Sequence, residues 1–285
     1  MTKVVRPVVT NREGVSAAGG RWNAPQASAG TSPDEGIVGT CYFKLMTETA
    51  ALTSRLLNRP DEEFRYSRLA EEARTAFNRS YARPNGFYGD GRGRQTTQAM
   101  ALEFGMVPKA DESAARARLV EAVLAADGHL DFGLHGMKWV PRALSKAGRT
   151  DLAFRMFVKD TAPSPAMWLK RGGTSLWEDW SNGASRNHIM FGEFVCWAYQ
   201  YLAGIRISEG SVGFGKDVID PKPIPDLCWT KASVRLPTGV LSSRWERKDD
   251  GVKLRVSVPS CVEARVSLPS GVETVQGPTD REWVL

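Results

Sequence analysis

The sequence predicts a mainly α fold, helical hairpins forming a toroid or bundle, followed by a small antiparallel β unit. Three observations carry that reading. Apolar residues recur at helical spacing between Ile37 and Ala203, interrupted repeatedly by Gly and Pro. A Gly- and Pro-rich connector then covers Gly210 to Pro225, stiffest at Pro221-Lys222-Pro223-Ile224-Pro225. Beyond it the apolar residues alternate with period two.

Residues 1–36 cluster Gly, Ala, Ser and Pro and read as irregular, with Gly20-Arg21-Trp22-Asn23-Ala24-Pro25 an aromatic-bearing loop. Ile37, Tyr42, Leu45, Met46, Thr49, Leu52, Leu56 and Leu57 then mark a helix ending at Asn58-Arg59-Pro60. Asp61 is placed to cap the next, with Glu62 and Glu63 in its first turn and Phe64, Leu69, Ala73, Phe77 and Tyr81 as its stripe. Further helices are expected over about 95–104, 112–125 and 134–147, where Gly148 suits a left-handed cap. Thr150 is placed to cap one that buries Leu152, Ala153, Met156 and Phe157. Ile189 to Ala203 is apolar almost all round, which predicts a helix buried on every side. In the β region, 240–247 and 252–258 face each other across Asp249-Asp250-Gly251, a hairpin signal. Val252, Leu254, Val256 and Val258 share one face, and Val262, Ala264, Val266 and Leu268 repeat the pattern.

Composition bounds the function. The chain has 285 residues, 42% hydrophobic and 25% charged, as ordinary globular chains do. Its net charge of +6 is spread among acids without a basic run or recognition motif, so nucleic acid is not an expected partner. Cys41, Cys196, Cys228 and Cys261 form no C-x-x-C pair and read as buried free thiols. His129, His135 and His188 lack ligand spacing, so no metal is implied. Residues 1–20 lack the apolar core of a signal peptide and no apolar run is long enough for a bilayer. A cytoplasmic location without membrane association is the expectation.

The chemistry concentrates in Thr174–His188, read TSLWEDWSNGASRNH. Glu178 and Asp179 lie between Trp177 and Trp180, Gly172-Gly173 loosens the approach, and His188 follows a Ser181-Asn182-Gly183 turn. A carboxylate does acid or base work on a glycosidic bond, and indoles cover the apolar face of a pyranose. The same stretch also fits a loop with aromatic anchors and solvated charges.

Four segments in order resemble the C-terminal part of bacterial α-L-rhamnosidases, family 78 of the glycoside hydrolases. Gly20 to Pro25 is similar to the family's G-D-W-L-x-P loop, and Gln95 to Ala99 with Gly105 to Pro108 to its Q-T-A-x-A-L…G-L-V-P helix. Thr174 to Trp180, then Asn187-His188 with Phe191-Gly192, resemble T-T-x-W-E-R-W and N-H-x-x-x-G. Ser242 to Trp245, Val258-Pro259 and Leu268-Pro269 resemble the C-terminal β domain. The resemblance implies a partial (α/α)6 barrel, or six-hairpin toroid, over residues 37–206, then a linker and β-sandwich over 207–285. It implies inverting hydrolysis of terminal α-L-rhamnosides without a cofactor, between two carboxyl groups roughly 6.5–9.5 Å apart. By position Glu178 is then the general base, His188 contacts rhamnose hydroxyls and Trp22 lies against the sugar. Trp177 and Trp180 wall or buttress the pocket, packing being as suitable a role for Trp180 as sugar contact.

The departures have consequences of their own. The family's general acid lies in a motif like D-C-P-Q-R-x-E-R, whereas no cysteine here is followed by proline. Arg21 replaces the aspartate of G-D-W, and Asp179 the arginine of W-E-R-W. A ring of six hairpins also needs more helices than this chain offers. The expectation is therefore a truncated rhamnosidase lacking its acid, with a rhamnose-binding remnant or another (α/α)-barrel glycosidase or lyase as alternatives. An open ring leaves helices such as 189–203 partly uncovered, so a homo-oligomeric or aggregation-prone chain is expected.

Overall fold

A computed structural model of the chain describes residues 34–180 and 185–285 and begins on a side-chain cap. Asp34 Oδ1 accepts from Gly36 N at 2.8 Å at the start of α1, Glu35–Leu56. The chain turns at Asn58 and returns as α2, Pro60–Tyr81, packed along α1. Two more antiparallel pairs follow, α3 (Arg94–Glu103) with α4 (Glu112–Ala125) and α5 (Leu134–Lys146) with α6 (Thr150–Val158). The first helices of the pairs stand side by side, α3 packing against both α1 and α5. A short α7, Pro165–Lys170, was not legible in the sequence; its cap is Ser164 Oγ, which accepts from Met167 N at 3.1 Å.

Two caps differ from expectation. α2 starts at Pro60, so Asp61 lies inside the first turn, and α6 starts at Thr150 with Arg149 in the cap position. Proline suits a first helical position because it has no N–H to satisfy there. Gly148 does take φ +76 after α5.

α1 buries the face opposite to the expected one. Ile37, Thr40, Cys41, Lys44, Thr47, Ala51 and Ser54 are buried, while Leu45, Met46, Leu52 and Leu56 are exposed. Small residues explain the choice: Ala51 and Ser54, with Ala70, Ala73 and Ala76 of α2, let the two backbones pack closely. Thr47 and Lys44 find local partners, whereas Thr40 Oγ1 has none among the described residues. Thr47 Oγ1 donates to Lys44 O at 2.8 Å, and Lys44 reaches Glu48 at 2.6 Å. On α2, Phe64 is likewise exposed, whereas Phe77 is buried beside Tyr81 and Tyr88.

α3 is the most enclosed helix of this unit, with every residue from Gln95 to Ala101 buried. Its glutamines tie down neighbouring loops. Gln98 accepts from Tyr88 N at 2.8 Å and donates to Gly86 O at 3.0 Å; Gln95 donates to His129 O at 2.9 Å. Close approach to α5 depends on Gly136, where a Cβ would lie 2.2 Å from Phe132 Cβ and 2.7 Å from Thr96 Oγ1.

The chain divides into two compact units between Phe191 and Gly192. In the second unit, α8 (Glu193–Trp197) runs into a π turn at Ala198–Leu202. The continuous, wholly buried helix expected over 189–203 is therefore not found. Ile189–Phe191 is a separate 3-10 turn, and Ile189, Val195 and Tyr199 are exposed because no described residue covers those sides.

Eight strands complete this unit. One sheet has the order β3 (Trp229–Leu236), β4 (Gly239–Lys248), β5 (Gly251–Val258), β8 (Thr279–Val284), all antiparallel. The other has the order β1 (Ile205–Ile207), β2 (Lys216–Ile219), β6 (Glu263–Leu268), β7 (Gly271–Gln276), with β2 and β6 parallel. β2 falls within the Gly210–Pro225 stretch read as a connector. The two sheets enclose Ile219, Leu241, Trp245, Leu254, Val256, Ala264 and Val266, as the period-two pattern requires. Trp245 Nε1 donates to Leu202 O at 2.6 Å and Ser243 Oγ to Ala203 O at 2.7 Å, tying the helical turn to the sandwich.

All four cysteines are free, as read, but only Cys41 is buried; Cys196, Cys228 and Cys261 are exposed. Cys261 occupies a left-handed turn position at φ +61, which places it at the surface between strands. Among the described residues no helix is long and apolar enough to cross a membrane.

Candidate active site

Glu178 and His188 sit on opposite arms of a hairpin that follows α7. Gly172 takes φ +80 to leave the helix. Gly173 then passes so close to it that a Cβ would meet Trp168 O at 2.8 Å and Trp177 Nε1 at 3.1 Å. The arms pair through two backbone bonds of 2.8 Å, His188 N to Leu176 O and Glu178 N to Ser185 O. Ser175 Oγ donates to Arg186 O across the same arms. This pairing places the carboxylate and imidazole that the sequence singled out, ten positions apart, on facing arms of one hairpin.

Both side chains are oriented by backbone donors. Ser185 N donates to Glu178 Oε2 at 3.2 Å, and Met190 N to His188 Nδ1 at 3.2 Å. With Nδ1 accepting, the neutral imidazole carries its proton on Nε2 and presents an N–H donor. Glu178, half-buried, supplies acceptor oxygens and His188, also half-buried, a donor. Such a pair suits a polyhydroxylated ligand and a water molecule.

The hairpin rests on an aromatic bed. Trp168 of α7 stacks on Trp180 with centroids 4.6 Å apart and planes 13° from parallel, and Trp177 lies 6.3 Å away. Phe191 closes the cluster at 4.8 Å from Trp180 and 5.7 Å from Trp168. Trp168 Nε1 donates to Asp179 O at 3.1 Å, fixing the residue next to Glu178. Trp177 and Trp180 are buried, 4% and 7% exposed, so both sit in packing positions under the carboxylate. The Arg186 guanidinium lies 5.1 Å over the Trp177 ring. Trp168 and Arg186 are parts of this site that the sequence reading missed. Trp168 stands on an unrecognised helix, and Arg186 lies nine positions beyond Trp177 on the other arm. Trp22 and Arg21 lie outside the described residues, as does Ser181-Asn182-Gly183.

Another polar group of the same unit is strongly perturbed. Asp131 precedes α5 and its backbone N donates to Gln95 Oε1 at 3.3 Å. Its Oδ1 is buried without a hydrogen-bond partner among the described residues, and burial pushes its carboxyl up to about 7. No group of three or more His, Cys, Asp or Glu side chains that could hold a metal occurs among the described residues.

Sequential helical hairpins followed by a two-sheet β unit are the architecture of the six-hairpin glycosidase class. The sequence model of the bacterial α-L-rhamnosidase six-hairpin glycosidase domain matches residues 6–202, and that of the bacterial α-L-rhamnosidase C-terminal domain matches 204–281. The chain belongs to the bacterial α-L-rhamnosidase family. It is 27% identical over 265 residues to an α-L-rhamnosidase of Formosa agariphila, covering 87% of this chain and 28% of that one. It is 30% identical over 246 residues to one of Streptomyces avermitilis, covering 82% and 23%. Among solved structures, the Streptomyces avermitilis α-L-rhamnosidase complexed with L-rhamnose superposes with a TM-score of 0.84 at 25% identity, covering 98% of this chain and 29% of that one. The Dictyoglomus enzyme (Dictyoglumus thermophilum) gives 0.80 at 28% identity, covering 88% and 29%. The chain thus spans less than a third of the length of these relatives.

Proposed function

We propose that this chain acts on terminal α-L-rhamnosides, with Glu178 as the general base of an inverting hydrolysis. In that chemistry the carboxylate takes a proton from the water that attacks the anomeric carbon, on the face opposite the departing oxygen. His188 donates from Nε2 to a rhamnose hydroxyl, and Trp22 covers the apolar face of the ring. Trp177 and Trp180 hold the hairpin from beneath. What supports this reading is membership of the family together with the placement of Glu178 and His188 on the two paired arms of one hairpin.

The chain carries the base-bearing segment but no match to the acid motif. An aryl rhamnoside, whose aglycone departs with little help from a proton donor, is therefore the substrate on which the role of Glu178 is read. The test is release of p-nitrophenol from p-nitrophenyl α-L-rhamnoside by the chain and by Glu178→Gln. The expected result is slow release, lowered by roughly 10²–10⁴-fold in the variant, with an alkyl rhamnoside turned over far more slowly than the aryl one. Equal release by both proteins overturns the role of Glu178. The absent acid motif also favours a second reading, a chain that binds rhamnose without hydrolysing it. No release from either protein, with L-rhamnose still raising the unfolding midpoint, decides for that reading.

A further inference from the structure

We infer, resting on the reading of Glu178 as the base, that Trp168 positions its carboxylate through the Asp179 carbonyl and the Trp180 ring. At 2% exposure Trp168 has no surface to offer a sugar, so its effect on the reaction passes through its neighbours. Those neighbours are spread along the whole hairpin. The Trp168 carbonyl accepts from Gly173 N at 2.8 Å, just ahead of the first arm. Its indole N–H donates to Asp179 O and its ring stacks on Trp180, both on the arm that carries Glu178. The same ring meets Phe191, three positions beyond His188. These partners all lie between Gly173 and Phe191, so the clamp draws on no other part of the chain.

Trp168 is itself held, because α7 is fixed at both ends. Ser164 Oγ accepts from Met167 N at 3.1 Å at its start, and Gly172 N donates to Leu169 O at 2.9 Å at its end. A short helix fixed in this way is a stable mount for a side chain that reaches across to another segment.

The arm that carries the base depends on this mount. Trp177 is buried just before Glu178, and the two residues after it are held by the hydrogen bond and the stack from Trp168. Ser185 N reaches Glu178 Oε2 at 3.2 Å, and Glu178 N reaches Ser185 O at 2.8 Å. Both bonds run between the arms, so they aim the carboxylate only while the arm around it is fixed. A base must stand within hydrogen-bond reach of the attacking water, and a misplacement of about 1 Å costs on the order of a hundredfold in rate. Phenylalanine at position 168 retains a ring face but leaves Asp179 O without this donor.

Trp168→Phe and Trp245→Phe in the full chain test this, both read under conditions where circular dichroism shows them folded. Trp245 is fully buried and likewise gives its indole N–H to a carbonyl, Leu202 O at 2.6 Å, so its replacement removes the same kind of bond in the β unit. Native-state amide exchange needs no turnover. In Trp168→Phe the Glu178 and Ser185 amides are expected to exchange roughly tenfold faster than in the native chain, and in Trp245→Phe at the native rate. With p-nitrophenyl α-L-rhamnoside, Trp168→Phe is expected to lower kcat about tenfold and to leave KM within about twofold. Azide, a nucleophile with no proton to lose, separates a misplaced base from a loosened fold. It attacks the anomeric carbon as p-nitrophenolate departs, giving the rhamnosyl azide, and is expected to restore the Trp168→Phe rate to within about threefold of native. Glu178 and Ser185 amides that exchange at the native rate in Trp168→Phe overturn the inference. A loss of kcat that azide leaves untouched, or one that Trp245→Phe matches, does the same. Faster exchange at those amides with no release from the native chain sustains the role of Trp168 and removes the hydrolytic role of Glu178.

Discussion

Asp217 lies on β2 with Ile207 and Ala264 as its register partners, and neither carboxylate oxygen has a hydrogen-bond partner among the described residues. The residue is fully buried, and that burial pushes its carboxyl up to about 6 from 3.8. A folded value above the unfolded one means that the fold binds this proton more tightly than the unfolded chain does. The stabilisation is complete below about pH 4 and is lost as pH rises through about 6. Asp217→Asn is expected to abolish that part of the pH dependence and to raise stability at pH 8 by up to about 3 kcal/mol. Urea midpoints of both proteins at pH 4, 6 and 8 check it; parallel profiles would show that Asp217 does not titrate in this window. The opposite treatment of buried polarity is seen at Gln95 and Gln98, whose amides are engaged by neighbouring loops. A motif that serves to identify the family is here a pair of staples within the helical unit.

α7 shows how one short helix determines the geometry of a site beyond it. Trp168 contributes a stacking face to Trp180, an N–H to Asp179 O and contact with Phe191. Removing the ring leaves the hairpin without its bed, so Trp168→Ala is expected to cost about 3–5 kcal/mol of stability. Trp168→Phe keeps a ring face and loses one hydrogen bond, and is expected to cost about 1–2 kcal/mol. Equal, small losses in chemical denaturation would show that the indoles are not packed against one another. The helix expected over 189–203 illustrates the reverse case. An apolar sequence is sufficient for burial only if neighbours cover each side, and Ile189 is 84% exposed. α1 belongs with it: periodicity located the helix, but the small residues decided which face went inward.

At the scale of the chain, the family match runs through both units while the sequence spans under a third of its relatives' length. Rhamnose binding is consequently best read out on the whole polypeptide as a linkage effect. A ligand at 100 times its Kd adds about 2.7 kcal/mol to stability when it binds only the folded chain. On the proposed reading, in which Glu178 acts on water and not on the sugar, L-rhamnose is expected to raise the unfolding midpoint of the native chain and of Glu178→Gln alike. On the proposed reading, in which His188 Nε2 donates to the sugar, His188→Ala is expected to lose most of that shift. A midpoint indifferent to rhamnose in all three would remove the sugar site from this chain.

Local signals in the sequence determined the helices α1 to α6, the hairpin over 240–258, the inward face of β5 and β6, and the concentration of chemistry at Glu178 and His188. Helical period, alternation and a dense cluster of functional residue types are properties of neighbouring positions, so a single chain displays them. The tertiary structure alone decided which side of α1 is buried, that Trp168 underlies Trp180, and that Leu176 and Glu178 pair with His188 and Ser185. It also decided that β2 joins β6 in parallel across more than forty residues. Each of these depends on contacts between residues distant in sequence, where small side chains permit close approach and buried polar groups find their partners.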